Sequence, residues 1–272
     1  MSSTLAFTKM HGLGNDFVVI DDLFGSTNAE KLLDDNLARR LCDRRFGIGA
    51  DQILWIRKSS ANDAIMEIVN ADGSRAEMCG NGIRAVALYM DRRSKNRKPE
   101  YAIETLGGLI RVRMEGDDVA VDMGKPGLGQ GLPKAGERIL AGGKEFRFYE
   151  VSMGNPHAVI FVPDVLAFPV EEFGPKIENH ERFPKRTNVE FVQLPSRGLL
   201  VVRVWERGAG ITLACGTGAC ASAVAAIATG QAENSLKVRL PGGDLKIEWQ
   251  GPGYSVLMTG PATEVFSGQF KI

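Results

Sequence analysis

The sequence predicts an α+β protein of two pseudo-equivalent domains, and three observations predict it. Short apolar runs bounded by turn residues outnumber helical patterns along the chain. One apolar stretch has a composition that only an enclosed helix tolerates. A Cys-Gly-x-Gly sequence occurs twice, at Cys79 and Cys215, 136 positions apart in a chain of 272 residues.

The strand-like runs fall at 17–20, 53–56, 64–69, 101–105, 109–114, 146–151, 158–162, 189–194, 199–205, 236–240 and 245–249. Gly107 with Gly108, Gly142 with Gly143, Gly242 with Gly243 and Pro252 with Gly253 supply hairpin turns between them, so the sheets are expected to be largely antiparallel. Helical patterns are few: 30–42, 81–92 and 217–229. The last is small and apolar on every side, which in a globular protein calls for a sheet curled around it. The surrounding uncharged run, 211–232, carries three glycines, three threonines and Gln231, so it reads as buried rather than membrane-spanning. Residues 125–133 have a linker's composition near the midpoint and set the domain boundary.

Composition narrows the function classes. With 44% hydrophobic and 24% charged residues the chain can build ordinary cores. Thirty-three basic and 33 acidic side chains give no net charge, hence no global positive field to collect nucleic acid or an anionic membrane. The first residues lack a basic patch, apolar core and cleavage site, so a cytoplasmic protein is expected. Four cysteines without a C-x-x-C pair suggest neither a disulfide framework nor zinc.

The duplication extends beyond the cysteines. Gly14-Asn15 precedes one apolar run as Gly154-Asn155 precedes another, and Gln52 and Asn188 each stand 27 residues before their cysteine. The first N–H groups of a helix lack internal partners, and the peptide dipoles place about half a positive charge there. A thiol at that end is expected to be acidified, while the glycine beside it lets the backbone cradle a carboxylate. Two such loops, with one sulfur on either face of an α-carbon, would invert a stereocentre.

The blander readings cover the other features. Cys42 and Cys220 read as small buried hydrophobes. Gly47-Ile48-Gly49 lacks the rest of a dinucleotide fingerprint, and no Walker lysine follows either cysteine loop. His11, His157 and His180 share no ligand spacing, so no metal site is expected. The basic stretch at 92–98 suits a helix C-terminus and a solvated loop.

Met10-His-Gly-Leu-Gly-Asn-Asp-Phe17, Asn70-Ala-Asp-Gly-Ser74, Cys79-Gly-Asn-Gly-Ile-Arg84, Met153-Gly-Asn-Pro-His157, His180-Glu-Arg-Phe-Pro184, Glu206-Arg-Gly-Ala-Gly210 and Ala214-Cys-Gly-Thr-Gly-Ala-Cys220 closely resemble diaminopimelate epimerase, from Lys9 to about Pro261. The resemblance implies an enzyme without cofactor or metal that interconverts LL- and meso-2,6-diaminopimelate, for lysine and, in bacteria, peptidoglycan. It implies two mixed β-barrels, each around a central helix, with the active site in the interdomain cleft and the last strand returning to the first domain: 1–124 plus 262–272, and 125–261. A homodimer is implied too, although Phe266 stands where the family often has tyrosine at the dimer contact. Cys79 and Cys215 match the acid/base pair, and Gly80, Asn81, Gly216 and Thr217 the carboxylate cradle. Asn15, Gln52, Asn70, Asn155, Asn188, Glu206 and Arg207 match substrate contacts, with His157 and Glu206 tuning the site. A proline or hydroxyproline racemase on the same fold is the competing enzyme, and a binding protein without chemistry the competing non-enzyme. Retention of both cysteines argues against the second, and Asn70, Asn188 and Arg207, suited to a second amino-acid head, against the first.

Overall fold

The computed structural model describes residues 4–23, 35–128 and 136–272. Its backbone falls into two units, 1–121 with 261–272, and 122–260. Positions 30–34 of the first expected helix and 129–133 of the expected boundary lie outside the described residues.

The first unit runs β1 (Thr4–Gly12), β2 (Asn15–Asp22), α1 (Asp35–Cys42), β3 (Gln52–Arg57), β4 (Ala64–Asn70), β5 (Arg75–Ala76), α2 (Gly80–Arg93), β6 (Glu100–Thr105), β7 (Gly108–Glu115) and β8 (Asp118–Asp122); the last strand of the chain, β18 (Thr263–Lys271), pairs with β1. Across the sheet the order is β18, β1, β2, β3, β4, β6, β7, β8. Only β2–β3 and β4–β6 are parallel, and β5 adds to β4. In β3, Ile53, Leu54, Trp55 and Ile56 are all buried. Such a continuous apolar run needs cover on both faces, and both α1 and α2 pack against it.

The second unit repeats this plan: β9 (Glu137–Ala141), β10 (Lys144–Ser152), β11 (Pro156–Phe161), α3 (Val170–Glu178), β12 (Asn188–Ser196), β13 (Leu199–Glu206), β14 (Gly210–Ile211), α4 (Gly216–Ala228), β15 (Ser235–Leu240), β16 (Gly243–Glu248) and β17 (Leu257–Pro261). The order is β9, β10, β11, β12, β13, β15, β16, β17, with β14 on β13, and the parallel pairs β11–β12 and β13–β15 fall at the same two places. Helix α4 touches β10, β11, β12, β13, β15 and β16, consecutive across the ladder, so the sheet curves round it as its composition requires. Its interior hydroxyl is satisfied internally, Ser222 Oγ donating to the Gly218 carbonyl at 2.8 Å.

Helix α3 departs from expectation, because Pro169, Gly174 and Pro175 punctuate the segment as a loop would be punctuated. Val170, Phe173, Gly174 and Ile177 nevertheless form a buried i, i+3, i+4, i+7 face. Gly174 is required by packing, since a Cβ there would lie 2.5 Å from Trp205 Cγ. The runs read from the sequence omit β1, β5, β8, β9, β14, β17 and β18: β5 and β14 have two residues each and β18 shows mostly exposed or half-exposed side chains, whereas β1 is long, with Lys9, Thr8 and His11 interrupting its apolar positions. The predicted antiparallel character holds, with four parallel pairs among the ladders described. The glycine pairs sit in the β6–β7, β9–β10 and β15–β16 turns.

Ala225 in α4 is fully buried within this curled sheet. Ala225→Leu is expected to destabilise the protein by about 1–3 kcal/mol through overpacking. Chemical denaturation against the unsubstituted protein measures it.

Candidate active site

Helices α2 and α4, both largely buried, are each capped at the N-terminus by a cysteine. Cys79 precedes α2 with extended backbone, and its Sγ accepts the Gly82 N–H at 3.3 Å; Cys215 precedes α4 and accepts the Gly218 N–H, also at 3.3 Å. A sulfur therefore occupies the place usually taken by a serine or aspartate oxygen. Neither helix carries an acidic residue in its first turn.

In the first unit the sheet ends carry amides to this point. Gly14 has φ 85° and Gly154 φ 91°, left-handed turns that explain the paired glycines before β2 and β11. Asn15 opens β2, and its Oδ1 lies 3.6 Å from Cys79 Sγ and accepts from Asn81 Nδ2 at 3.3 Å. Asp51 holds the other end, taking Asn15 Nδ2 at 2.9 Å. Asp51 is fixed by Arg44, which also grips Asp16 beside Lys9. Burial alone would raise the Asp16 carboxyl, but the hydrogen bonds from Arg44 and Lys9 outweigh it and hold the group well below the usual carboxylate range. Gln52 opens β3, in register with Asn70 at the end of β4, and its Nε2 donates to Asn70 Oδ1 at 2.8 Å. Gln52 Oε1 is buried with no hydrogen-bond partner among the described residues. Arg84, fully buried in α2, bonds the Gly80 carbonyl at 3.1 Å and Asn81 Oδ1 at 2.8 Å, stiffening the turn after Cys79.

In the second unit two glutamates, Glu190 and Glu206, stand near the cysteine. Asn188 and Glu206 occupy the register positions of Gln52 and Asn70. Asn188 Nδ2 donates to the Pro156 carbonyl at 2.9 Å, and its Oδ1 accepts the Arg207 N–H at 3.0 Å. Glu206 is raised above the usual carboxylate range, mainly by burial, against hydrogen bonds from Thr212 and Cys215. Asn155 Nδ2 donates to Thr217 Oγ1 at 3.3 Å, and Thr217 Oγ1 lies 3.5 Å from Cys215 Sγ. His157 Nε2 is 3.0 Å from Asn155 Oδ1, and its Nδ1 is 2.7 Å from Glu190 Oε1, both side chains fully buried.

Asn15, Gln52, Asn70, Cys79, Gly80 and Asn81 thus cluster at one helix end, and Asn155, His157, Asn188, Glu206, Cys215, Gly216 and Thr217 at the other. Arg207 joins its group through its backbone only; its exposed side chain bonds the Lys185 carbonyl at 3.4 Å. The expected acidified thiol does not hold at Cys215: burial, then Glu206 and Glu190, push it well above the ordinary thiol value, outweighing hydrogen bonds from Thr217 and Gly218. Cys42 and Cys220 are buried as expected, and burial pushes Cys42 up to about 11. Sequence reasoning missed Asp51, Thr212 and Glu190. Glu190 left a signal, a lone charge in an apolar strand.

The sequence model of the diaminopimelate epimerase family matches residues 7–128 and 149–265. The chain belongs to the diaminopimelate epimerase family. A diaminopimelate epimerase of Desulforudis audaxviator is 50% identical over 280 residues, 98% of this chain and 99% of that protein; one from Moorella thermoacetica is 49% identical over 281 residues, with the same coverage. Membership makes the chain an isomerase. Solved structures of similar fold include a hydroxyproline epimerase from Agrobacterium vitis, with TM-score 0.71 and 19% identity over 98% of this chain and 91% of that one, and a Bacillus anthracis phenazine biosynthesis protein of the PhzF family, with TM-score 0.72 and 15% identity over 99% of each. At such identities the likeness concerns the fold alone, so the racemase alternative shares this architecture, whereas the family is diaminopimelate epimerase. Among the described residues no helix is long and apolar enough to cross a membrane.

Cys79 is half-buried and Cys215 is buried and raised. A thiol raised above its ordinary value carries less thiolate at any given pH, and thiolate is the nucleophile. Limited alkylation with iodoacetamide at pH 8, followed by peptide mapping, is expected to label Cys79 well before Cys215. Equal labelling would contradict the burial.

Proposed function

We propose that the chain interconverts LL- and meso-2,6-diaminopimelate by two-base proton transfer between Cys79 and Cys215, without a cofactor. The observation that carries this is the equivalent placement of two cysteines, each capping the N-terminus of a largely buried helix at the same point of a duplicated fold. The two-base reaction needs one sulfur on either face of the substrate's α-carbon. One thiolate removes the α-proton and the opposite thiol returns another, which inverts the centre.

The α-proton beside a carboxylate is a very weak acid, because the carbanion puts two negative charges on one small group. Two helix N-termini, with the N–H groups of Gly80, Asn81, Gly216 and Thr217 around the carboxylate, supply positive potential that is already oriented. The resting pair is one thiolate and one thiol, since two thiolates would repel and leave no acid.

The rest of the set reads the second amino-acid head. Glu206 pairs with an ammonium, Asn15, Gln52, Asn70, Asn155 and Asn188 add neutral hydrogen bonds, and Arg207 turns from the surface to grip the distal carboxylate. His157 and Glu206 tune the second thiol. The protein works in the cytoplasm as a homodimer, in lysine and peptidoglycan precursor synthesis.

In heavy water, meso product formed from LL-diaminopimelate is expected to carry deuterium at one α-carbon, read by mass spectrometry. Unlabelled product would sink the two-base reading. Cys79→Ala and Cys215→Ala are each expected to abolish epimerisation. Arg207→Met is expected to raise KM by about tenfold or more, a lost charge-assisted bond being worth roughly 1.5–3 kcal/mol. Unchanged kinetics would place the distal carboxylate elsewhere.

A further inference from the structure

We infer that Glu190 is a positioning residue for the second half-site: it holds the His157 ring through Nδ1, and Nε2 of that ring fixes Asn155 so that its amide NH2 faces Thr217 beside Cys215. The inference rests on the reading of Cys215 as a proton carrier.

The duplication supplies an internal control. Glu190 and Leu54 each stand 25 residues before their cysteine, and each packs on the third helical residue. A Cβ on Gly82 would lie 3.0 Å from Leu54 Cδ2, and a Cβ on Gly218 2.7 Å from Glu190 Oε1 and 3.3 Å from Cys215 Sγ. His157 likewise occupies the register position of Phe17. The first unit fills the same place with Leu54 and Phe17, so the fold does not need a charged pair there. Glu190 is nonetheless fully buried, with Oε2 lacking any hydrogen-bond partner among the described residues. Burying a carboxylate on one partner costs stability, which points to a role in the site.

The hydrogen bonds give that role a direction. His157 Nδ1 faces the Glu190 carboxylate at 2.7 Å and Nε2 faces the Asn155 carbonyl oxygen at 3.0 Å. To meet that oxygen Nε2 must carry a proton and donate, whichever of Nδ1 and Glu190 holds the proton shared between them. With Oδ1 engaged, Asn155 presents Nδ2 to Thr217 Oγ1, which frees the threonine proton for Cys215 Sγ. Asn15 is held the opposite way round: Asp51 takes its Nδ2, and its oxygen faces Cys79. One sulfur therefore meets an acceptor and the other a donor chain. When Cys215 gives its proton to the substrate carbanion, the S–H bond breaks, the C–H bond forms, and the thiolate left behind receives the Thr217 hydrogen bond. Glu206 from β13 and Cys215 from the start of α4 are the other titratable groups bearing on the Glu190 and His157 pair.

Nitrogen NMR of 15N-histidine-labelled protein tests this directly, with His157 assigned by its loss in His157→Asn. The unsubstituted protein is expected to show His157 Nε2 protonated, and Glu190→Leu a ring that loses this fixed form and exchanges its proton between Nδ1 and Nε2. Epimerisation by Glu190→Leu is expected to fall at least about tenfold in kcat, comparable in kind to other losses of imidazole orientation. KM should change less than twofold, and the pH profile of kcat should shift. Glu190→Gln, which keeps an acceptor at Nδ1, is expected to lie between the two and serves if the leucine variant does not fold. A ring protonated at Nδ1 alone in the unsubstituted protein overturns the proposal. So does a folded variant with unchanged kcat and pH profile. The NMR readout needs no turnover, so an active Cys215→Ala would refute the proton-carrier reading separately.

Discussion

A helix enclosed by a curved sheet can hide its side chains, but it cannot satisfy the N–H groups of its first turn from within. In both units of this protein a cysteine sulfur takes one of those donors, and the rest of the architecture follows from that arrangement. The sheet must curl to cover a helix that is apolar all round. The small side chains of α4 let the strands come close. The strand ends that stop near the helix N-terminus carry Asn15, Gln52 and Asn70 in one unit and Asn155, Asn188 and Glu206 in the other. Positive potential from the aligned peptides, low polarity around the helix and a ring of hydrogen-bonding side chains thus coincide at one point.

The two units share this plan and differ in charge. Gln52 and Asn70 pair with each other through amides, where the second unit has Asn188 and the half-buried acid Glu206. Leu54 and Phe17 fill the space that Glu190 and His157 fill across the duplication. These exchanges alter no strand pairing, because they change only what projects inward from a common register. They do alter the sulfur. Cys79 is half-buried beside amides, whereas Cys215 is buried beside Glu206 and Glu190, which with burial push it above the ordinary thiol value.

Much of this was legible in the sequence. The spacing of Cys79 and Cys215, the repeated Gly-Asn and the 27-residue offset of Gln52 and Asn188 revealed the duplication, because equal spacing within equal folds puts residues at equal places. The composition of 217–229 required an enclosing sheet, since no solvent-exposed helix lacks a polar face. Glycine pairs marked three hairpins through their conformational freedom. Helix α3 was hidden, because its prolines and Gly174 look like loop chemistry until Trp205 is placed against the glycine.

The sequence by itself determined the two-fold plan, the capping cysteines and the amides that gather around them, because these depend on spacing and on local backbone preferences. Only the tertiary structure decided the acidity of Cys215 and the partners that orient Asn15 and Asn155. Asp51 and Glu190 are far from those groups in the chain, and their effect exists only once folding removes water and brings them within hydrogen-bond reach. A helix end favours a thiolate wherever it occurs; burial beside two carboxylates reverses that preference, and burial is a property of the folded chain as a whole.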